Sequence, residues 1–251
     1  MEKSISIKMN TTININFKPN ESEFKQISEW LYSEYKKYNT GFYCNIGIIK
    51  QHFDENRMAI MSVNKKVIGF ITWAFYTEFS AVIVIAEVHS DFRKYGYGKI
   101  IANQLLMYLK NAGIMTVDLE CSPTNSIHFW KKNKFRKFPE NFKIKKDNVE
   151  LFRMLVDSQK PKSIKDTEIN AEVIELWSSE PWETTDSNPD WQWQLKFRSK
   201  SKQLVKPIIF PCKFDWRIRW RKGDEVIFDD KVKRFNKIKV KYGSYLIIEN
   251  L

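Results

Sequence analysis

The sequence predicts an α/β (α+β) fold over residues 1–157, followed by a small all-β domain, a sandwich or partly open barrel, over residues 171–251. Three observations carry this. Helical and strand periodicities alternate through the first part. Large apolar side chains alternate with polar ones at period two through the last. Between them "DSQKPKSIKDTEIN" is polar with no apolar period, which reads as a linker over 158–170.

Taken in order, "SISIKMNTTININF" is strand-like and leads to Asn20, a good N-cap with Glu23 three residues on. Phe24, Ile27, Leu31 and Tyr35 then recur at helical spacing, and Ile46, Ile49 and Phe53 mark a second helix. "AIMSVNKKVIGFITWAFY" reads as a hairpin turning near Asn64 and Lys65. "SAVIVIAEV" is apolar on both faces, so it belongs in the middle of its sheet. A helix over Lys99–Ala112 follows, with Ile101, Leu105 and Leu109 inward and Gly113 at its C′ position. The strand "MTVDLEC", a short helix from Ser126 to about Lys134 and the closing strand "VELFRMLV" complete this part.

In the last part Trp191, Trp193, Leu195 and Phe197 alternate with Gln192, Gln194, Lys196 and Arg198. Phe214, Trp216, Ile218 and Trp220 alternate with Asp215, Arg217, Arg219 and Arg221. The tryptophan stripes read as sandwich core, and Lys196, Arg217, Arg219 and Arg221 as an exposed basic face. "RKGDE" marks a hairpin turn, and "KIKVKYGSYLIIEN" two strands about Gly243.

Composition sets bounds on function. A chain of 251 residues that is 43% hydrophobic and 15% aromatic folds rather than staying disordered. No apolar run approaches the ~20 residues of a bilayer-spanning helix. The N-terminus lacks the apolar stretch of a secretory signal. Cys44, Cys121 and Cys212 are widely spaced and odd in number, which fits reduced thiols in the cytoplasm. No set of histidines and cysteines has metal-ligand spacing, so no metal is expected. The net charge of +12 predicts attraction to anions, whether phosphorylated cofactors, nucleic acid or acidic proteins.

The stretch that carries chemistry is "VHSDFRKYGYGKI", beginning at Val88, where an apolar strand gives way to a glycine-punctuated turn and a helix. The first amides of a helix have no internal partner and together present about half a positive charge, so an anion fits there. Gly96 and Gly98 let backbone approach a ligand closely, while Arg93, Lys94 and Lys99 add positive charge, making a pyrophosphate the natural guest. A dinucleotide fingerprint is matched only in part, because Ile101 stands where the third glycine belongs and the turn follows two helices and a hairpin instead of opening a βαβ unit. No G-x-x-x-x-G-K-[ST] loop occurs. The remaining pattern is Arg-x-x-Gly-x-Gly at Arg93, Gly96 and Gly98.

With "SIHFWKKNKF" some 25 residues on, this pattern resembles the GNAT acetyltransferase superfamily over roughly residues 5–157. The resemblance implies a mixed, twisted sheet splayed in a V beside the central strand, with acetyl-CoA in the opening. It also implies that the pantetheine arm pairs with backbone around Val88 and His89. The pyrophosphate then rests on the amides from Lys94 through Tyr95, Gly96, Tyr97 and Gly98 to Lys99, and Trp130 floors the groove. By the same resemblance the chain is an N-acetyltransferase acting on a primary amine of a small molecule, protein or aminoacyl-tRNA.

Departures from the family pattern concern catalysis. Trp130 stands where relatives often carry the tyrosine that protonates the departing thiolate. Val82, Val84 and Ala86 occupy strand positions where a glutamate base is common, leaving Glu87 and His89 as weak catalytic candidates, both on the far face of a regular strand. Two other readings stay open: a coenzyme-binding protein without turnover, and a chain whose β domain recruits a protein or nucleic-acid partner through its basic face.

Overall fold

The computed structural model describes residues 12–39, 41–122, 124–139, 149–163, 170–184, 187–199, 201–235, 240–241 and 244–251. The predicted strand residues before 12, the turn at Gly243 and residues 164–169 of the predicted linker lie outside these. The chain divides into two compact units, Met1–Phe135 and Arg136–Leu251.

The first unit opens with β1 (Ile13–Asn16), followed by α1 (Glu21–Tyr38). Asn20 and Glu23 form the predicted capping box, with the Asn20 side chain accepting from the Glu23 amide and the Glu23 carboxylate from the Asn20 amide. Phe24, Ile27, Trp30 and Leu31 are buried, while Tyr35 stays exposed. α2 (Ile46–Asp54) joins the same face of the sheet, where Ile49 packs with Met58, Ile60, Phe70 and Ile85. The β2 (Met58–Val63) and β3 (Lys66–Phe75) hairpin turns at Asn64 and Lys65, both at positive φ (49° and 68°), as a two-residue primed turn requires.

β4 (Ser80–Val88) runs antiparallel to β3 and parallel to β5 (Thr116–Cys121). α3 (Tyr97–Asn111) covers β2, β3 and β4, burying Ile101, Ala102, Leu105, Leu106 and Leu109. α4 (Ile127–Lys132) follows β5. The strand order in this unit is β1-β2-β3-β4-β5. With helices on both faces, all six residues of β2 are buried. A fully buried Leu, Ile or Phe contributes roughly 1.5–3 kcal/mol relative to exposure, so this double-sided core dominates the unit's stability.

The second unit holds the β6 (Arg136–Lys137) and β7 (Val149–Met154) pair, then β8 (Glu172–Leu176), β9 (Trp191–Gln194) and β10 (Gln203–Pro211). β11 (Arg217–Lys222), β12 (Glu225–Lys231), β13 (Val240–Lys241) and β14 (Tyr245–Asn250) follow. Two sheets, ordered β12-β11-β8-β9 and β10-β14-β13, share one apolar core that includes Trp193, Trp216, Ile218, Trp220, Ile208, Leu246 and Ile248. The tryptophans are core, as the alternation predicts.

One expectation for this unit is corrected. Arg217, Arg219 and Arg221 do not form an exposed basic face. Arg217 is buried, donates to both oxygens of Asp229 and to the Thr184 carbonyl, and lies over the Trp177 ring. Arg219 and Arg221 both donate to Glu175, itself buried. Pairing releases the desolvation cost that an unpartnered guanidinium would suffer at these positions. Gln192 and Gln194, on the polar side of β9, are also buried. The chain from Ser158 to Ser163, part of the expected linker, covers them: Lys162 bridges to Gln192 and donates to the Gln194 side chain, and the Trp193 indole donates to the Gln159 carbonyl.

Candidate functional site

The pairing of β4 with β5 ends at Ile83 opposite Leu119, yet β4 continues from Val84 to Val88. Thr72 faces Ile85 and Trp73 faces Ile83, so Val84 is an extra residue on β4, a bulge at the point where the two strands part. The Thr72 hydroxyl accepts from the Ile85 amide and so holds the kink from the β3 side. Beyond it, the His89 amide donates to the Ile68 carbonyl, toward β3. By strand alternation the amide and carbonyl of Val88 therefore turn the other way, to the edge that β5 has left.

Gly69 on β3 makes the end of this edge possible. A Cβ there would lie 3.1 Å from the Glu87 carbonyl and 3.4 Å from Val88 Cγ2. An isolated glycine inside a strand was the sequence signal for this close approach.

After a short 3-10 turn at Ser90–Phe92 the chain reverses through Lys94 (φ 69°) and Gly96 (φ 87°) into α3. Lys99 and Ile100 donate the first helical bonds, both to the Gly96 carbonyl, so the amides ahead of them face outward at the helix start. Lys94, Tyr95 and Lys99 are exposed around it. The arrangement can hold an anion by backbone N–H groups with mobile cations beside it. The two glycines differ in role. Gly96 supplies a positive φ in open space, whereas Gly98 packs on α4, its missing Cβ directed at the Phe129 ring.

Val88, His89, Arg93, Lys94, Tyr95, Gly96, Tyr97, Gly98 and Lys99 thus follow one path from the end of β4 into α3. Trp130 is buried in α4, edge-on to Phe129 and Phe135. Two surface depressions, one bounded by Thr12, Glu23, Ser62 and Lys65 and another by Phe75, Tyr76 and Ile114, lie away from this path.

The two catalytic candidates are both engaged. His89 Nδ1 accepts from the Asp91 amide at 3.3 Å, which places the proton of the neutral ring on Nε2, and the ring packs on Trp30 and Phe92. Glu87 accepts at one oxygen from Arg93 Nη2 at 2.7 Å and from the Val88 amide at 3.1 Å. Burial pushes its carboxyl above the usual range, against the opposing pull of the Arg93 charge. Glu34 comes near as well, its carboxylate accepting from the Ser90 amide at 3.4 Å. Neither Gly69 nor Glu34 was singled out from sequence. For Glu34 no local signal exists, since the contact joins residues 56 apart.

A strand that parts from its parallel neighbour at a bulge and runs through a basic glycine turn into a helix marks the class of α+β domain to which this unit belongs. Residues 20–135 match the model of the family described as Acetyltransferase (GNAT) family, and this part of the chain is a GNAT domain. The chain is 35% identical over 80 residues to "Uncharacterized N-acetyltransferase ycf52" of Pyropia yezoensis, covering 32% of this chain and 45% of that protein. It is 33% identical over 78 residues to the protein of the same name in Porphyra purpurea, covering 31% and 44%. The matched stretch thus spans less than half the length of these curated relatives. Among solved structures, Ard1 from Thermoplasma volcanium is similar with a TM-score of 0.45 at 19% identity, over 58% of this chain and 99% of that one. Among the described residues, no helix is long and apolar enough to cross a membrane, and no group of three or more His, Cys, Asp or Glu could hold a metal ion.

Proposed function

We propose that this chain is an N-acetyltransferase that moves an acetyl group from acetyl-CoA to a primary amine. The observation that carries the reading is the parting of β4 from β5 at Ile83, in line with the outward amides at the start of α3. Together they offer an edge for an extended amide-bearing arm and an anion seat for the diphosphate. In this reading Val88 pairs with the arm and His89, expected from sequence to do so too, does not, because its amide and carbonyl are bonded to Ile68 and Phe92. Lys94, Tyr95, Gly96, Tyr97, Gly98 and Lys99 surround the phosphates. Trp130 supports the wall through Phe129, which packs on Gly98.

The reaction needs little from side chains. The amine attacks the thioester carbonyl carbon, and the developing oxyanion takes hydrogen bonds from strand amides near the bulge. The C–S bond then breaks, the ammonium proton passes to water, and the departing thiolate is protonated from solvent. Holding amine and thioester in attack geometry supplies effective molarities of ~10⁵ M or more, whereas a placed acid or base adds ~10²–10⁴-fold, so positioning outweighs proton relay. Trp130 offers no titratable proton in the place of the family's tyrosine. The acceptor class spans small amines, protein amines and aminoacyl-tRNA. Cys44, Cys121 and Cys212 are all free, which supports a reducing, cytoplasmic setting.

A second reading, coenzyme binding without turnover, is favoured by the engagement of Glu87 and His89 described above. Calorimetry with acetyl-CoA, followed by intact-mass screening of amines, peptides and aminoacyl-tRNA, separates the two. Binding with transfer of one acetyl group supports the enzyme, binding without transfer supports the second reading, and absence of binding overturns both.

A further inference from the structure

The edge that the coenzyme's arm would use is already paired, with side chains of the same turn. The Val88 amide donates to Glu87 Oε1 at 3.1 Å, and Arg93 Nε donates to the Val88 carbonyl at 2.8 Å. The two side chains are joined to each other by the bond from Arg93 Nη2 to Glu87 Oε1 at 2.7 Å. An acceptor and a donor thus sit on Val88 as an amide of a neighbouring strand would. The carboxylate stands for that strand's carbonyl and the guanidinium N–H for its amide.

We infer that Glu87 and Arg93 form a latch that occupies the Val88 backbone in the free protein and must open for the pantetheine arm to pair there. The inference rests on the coenzyme reading above. Three features make the latch able to open. Arg93 is half exposed, with its guanidinium side chain at 52% relative exposure, so it can swing to solvent or toward a bound phosphate. Glu87 at 17% is held in a site whose burial disfavours its charge. Glu34 lies close enough to add repulsion, which weakens the hold of the carboxylate once Arg93 leaves. When phosphate recruits Arg93, Glu87 loses its counter-charge and Val88 loses both internal partners, so phosphate capture and arm pairing become coupled. Phosphate at the α3 end therefore prepares the β4 end.

The test uses fragments of the coenzyme on the full chain. Acetyl-pantetheine carries the arm without phosphates, and inorganic pyrophosphate carries phosphates without the arm. Glu87→Ala frees the Val88 amide and unpins Arg93. A hydrogen bond of ordinary net strength changes an equilibrium by several-fold to about tenfold, so acetyl-pantetheine should bind the variant about tenfold more tightly in NMR titration. Pyrophosphate affinity should rise as well, because Arg93 no longer has to leave Glu87 to reach it. A gain for pyrophosphate with none for acetyl-pantetheine would mean that only the negative charge at Glu87 matters, and a loss for acetyl-pantetheine would make the pair a structural strut; either overturns the latch. In the wild-type protein, acetyl-pantetheine should shift the Arg93 Nε–H resonance and speed its exchange with water, a readout independent of the variant's folding. An unmoved resonance at saturating probe overturns the latch while leaving the coenzyme reading intact. Failure of the wild-type protein to bind acetyl-CoA removes the coenzyme reading itself.

Discussion

Gly98 in the first turn of α3 faces the Phe129 ring of α4 across 3.4 Å, measured from where a Cβ would stand. The glycine that the motif supplies for a ligand is therefore also a contact between two helices. Because that distance is ordinary van der Waals contact, a methyl group fits, whereas an indole would have to displace Phe129. Gly98→Ala should fold with stability raised by up to ~0.5 kcal/mol through helix propensity. It should change acetyl-CoA affinity less than threefold by calorimetry, since the added methyl points at Phe129. A large loss of affinity with unchanged stability would mean that the ligand itself needs the space at Gly98.

Glu87 gives stability a pH dependence of defined sign. Its folded-state carboxyl titrates above the ordinary value of 4.5, mainly because of burial. The native state then binds more protons than the unfolded state just above that pH, so Glu87's contribution is complete below it and declines as pH rises through the folded value. Urea titrations across this window should show Glu87→Gln gaining stability relative to the wild-type protein as pH increases. A gain in the opposite direction would mean that Arg93 dominates over desolvation.

Glu175 holds two arginines from a buried position. Glu175→Ala leaves both without that counter-charge on one sheet face and should cost about 3–5 kcal/mol, the range found when one partner of a buried ion pair is removed. Chemical denaturation followed by tryptophan fluorescence measures it. A cost under 1 kcal/mol would mean that the arginines reach water instead.

Trp130 is a packing residue carrying no titrating proton. Trp130→Phe should lower stability by ~1–3 kcal/mol through the volume it vacates against Phe135. The pH profile of kcat for any acceptor found should keep the limbs of the wild-type profile. A limb lost in the variant would show that residue 130 takes part in proton transfer.

The three thiols differ in access. Cys44 is exposed, Cys121 and Cys212 are buried, and burial raises both buried thiols above their ordinary values. A thiol reagent at pH 8 should modify one cysteine rapidly in the native protein and all three in denaturant. Rapid modification of two or more in native buffer would mean that one of the cores opens readily.

Much of the fold was legible because its signals are local. Asn20 with Glu23, the Asn64–Lys65 turn, the doubly apolar central strand and the apolar spacing of α3 each lie within one element, and each element formed where its pattern placed it. The path from Val88 to Lys99 was legible for the same reason, as a run of consecutive residues. What misled was exposure. Period two assigns Arg217, Arg219, Arg221, Gln192 and Gln194 to the polar side of their strands, and they are on it. That side is nonetheless covered, by Asp229, Glu175 and the chain around Lys162, which approach from elsewhere in the sequence.

By itself, then, the sequence determined which segments become helix or strand, and which turn offers outward amides, since these depend on neighbours within a few residues. Only the tertiary structure decided that β4 leaves β5 at Ile83, that Gly69 admits the end of β4, and that Glu87 and Arg93 close on Val88. Strand separation and side-chain pairing depend on register and desolvation, quantities set by residues brought together across the chain, for which no local pattern carries a mark.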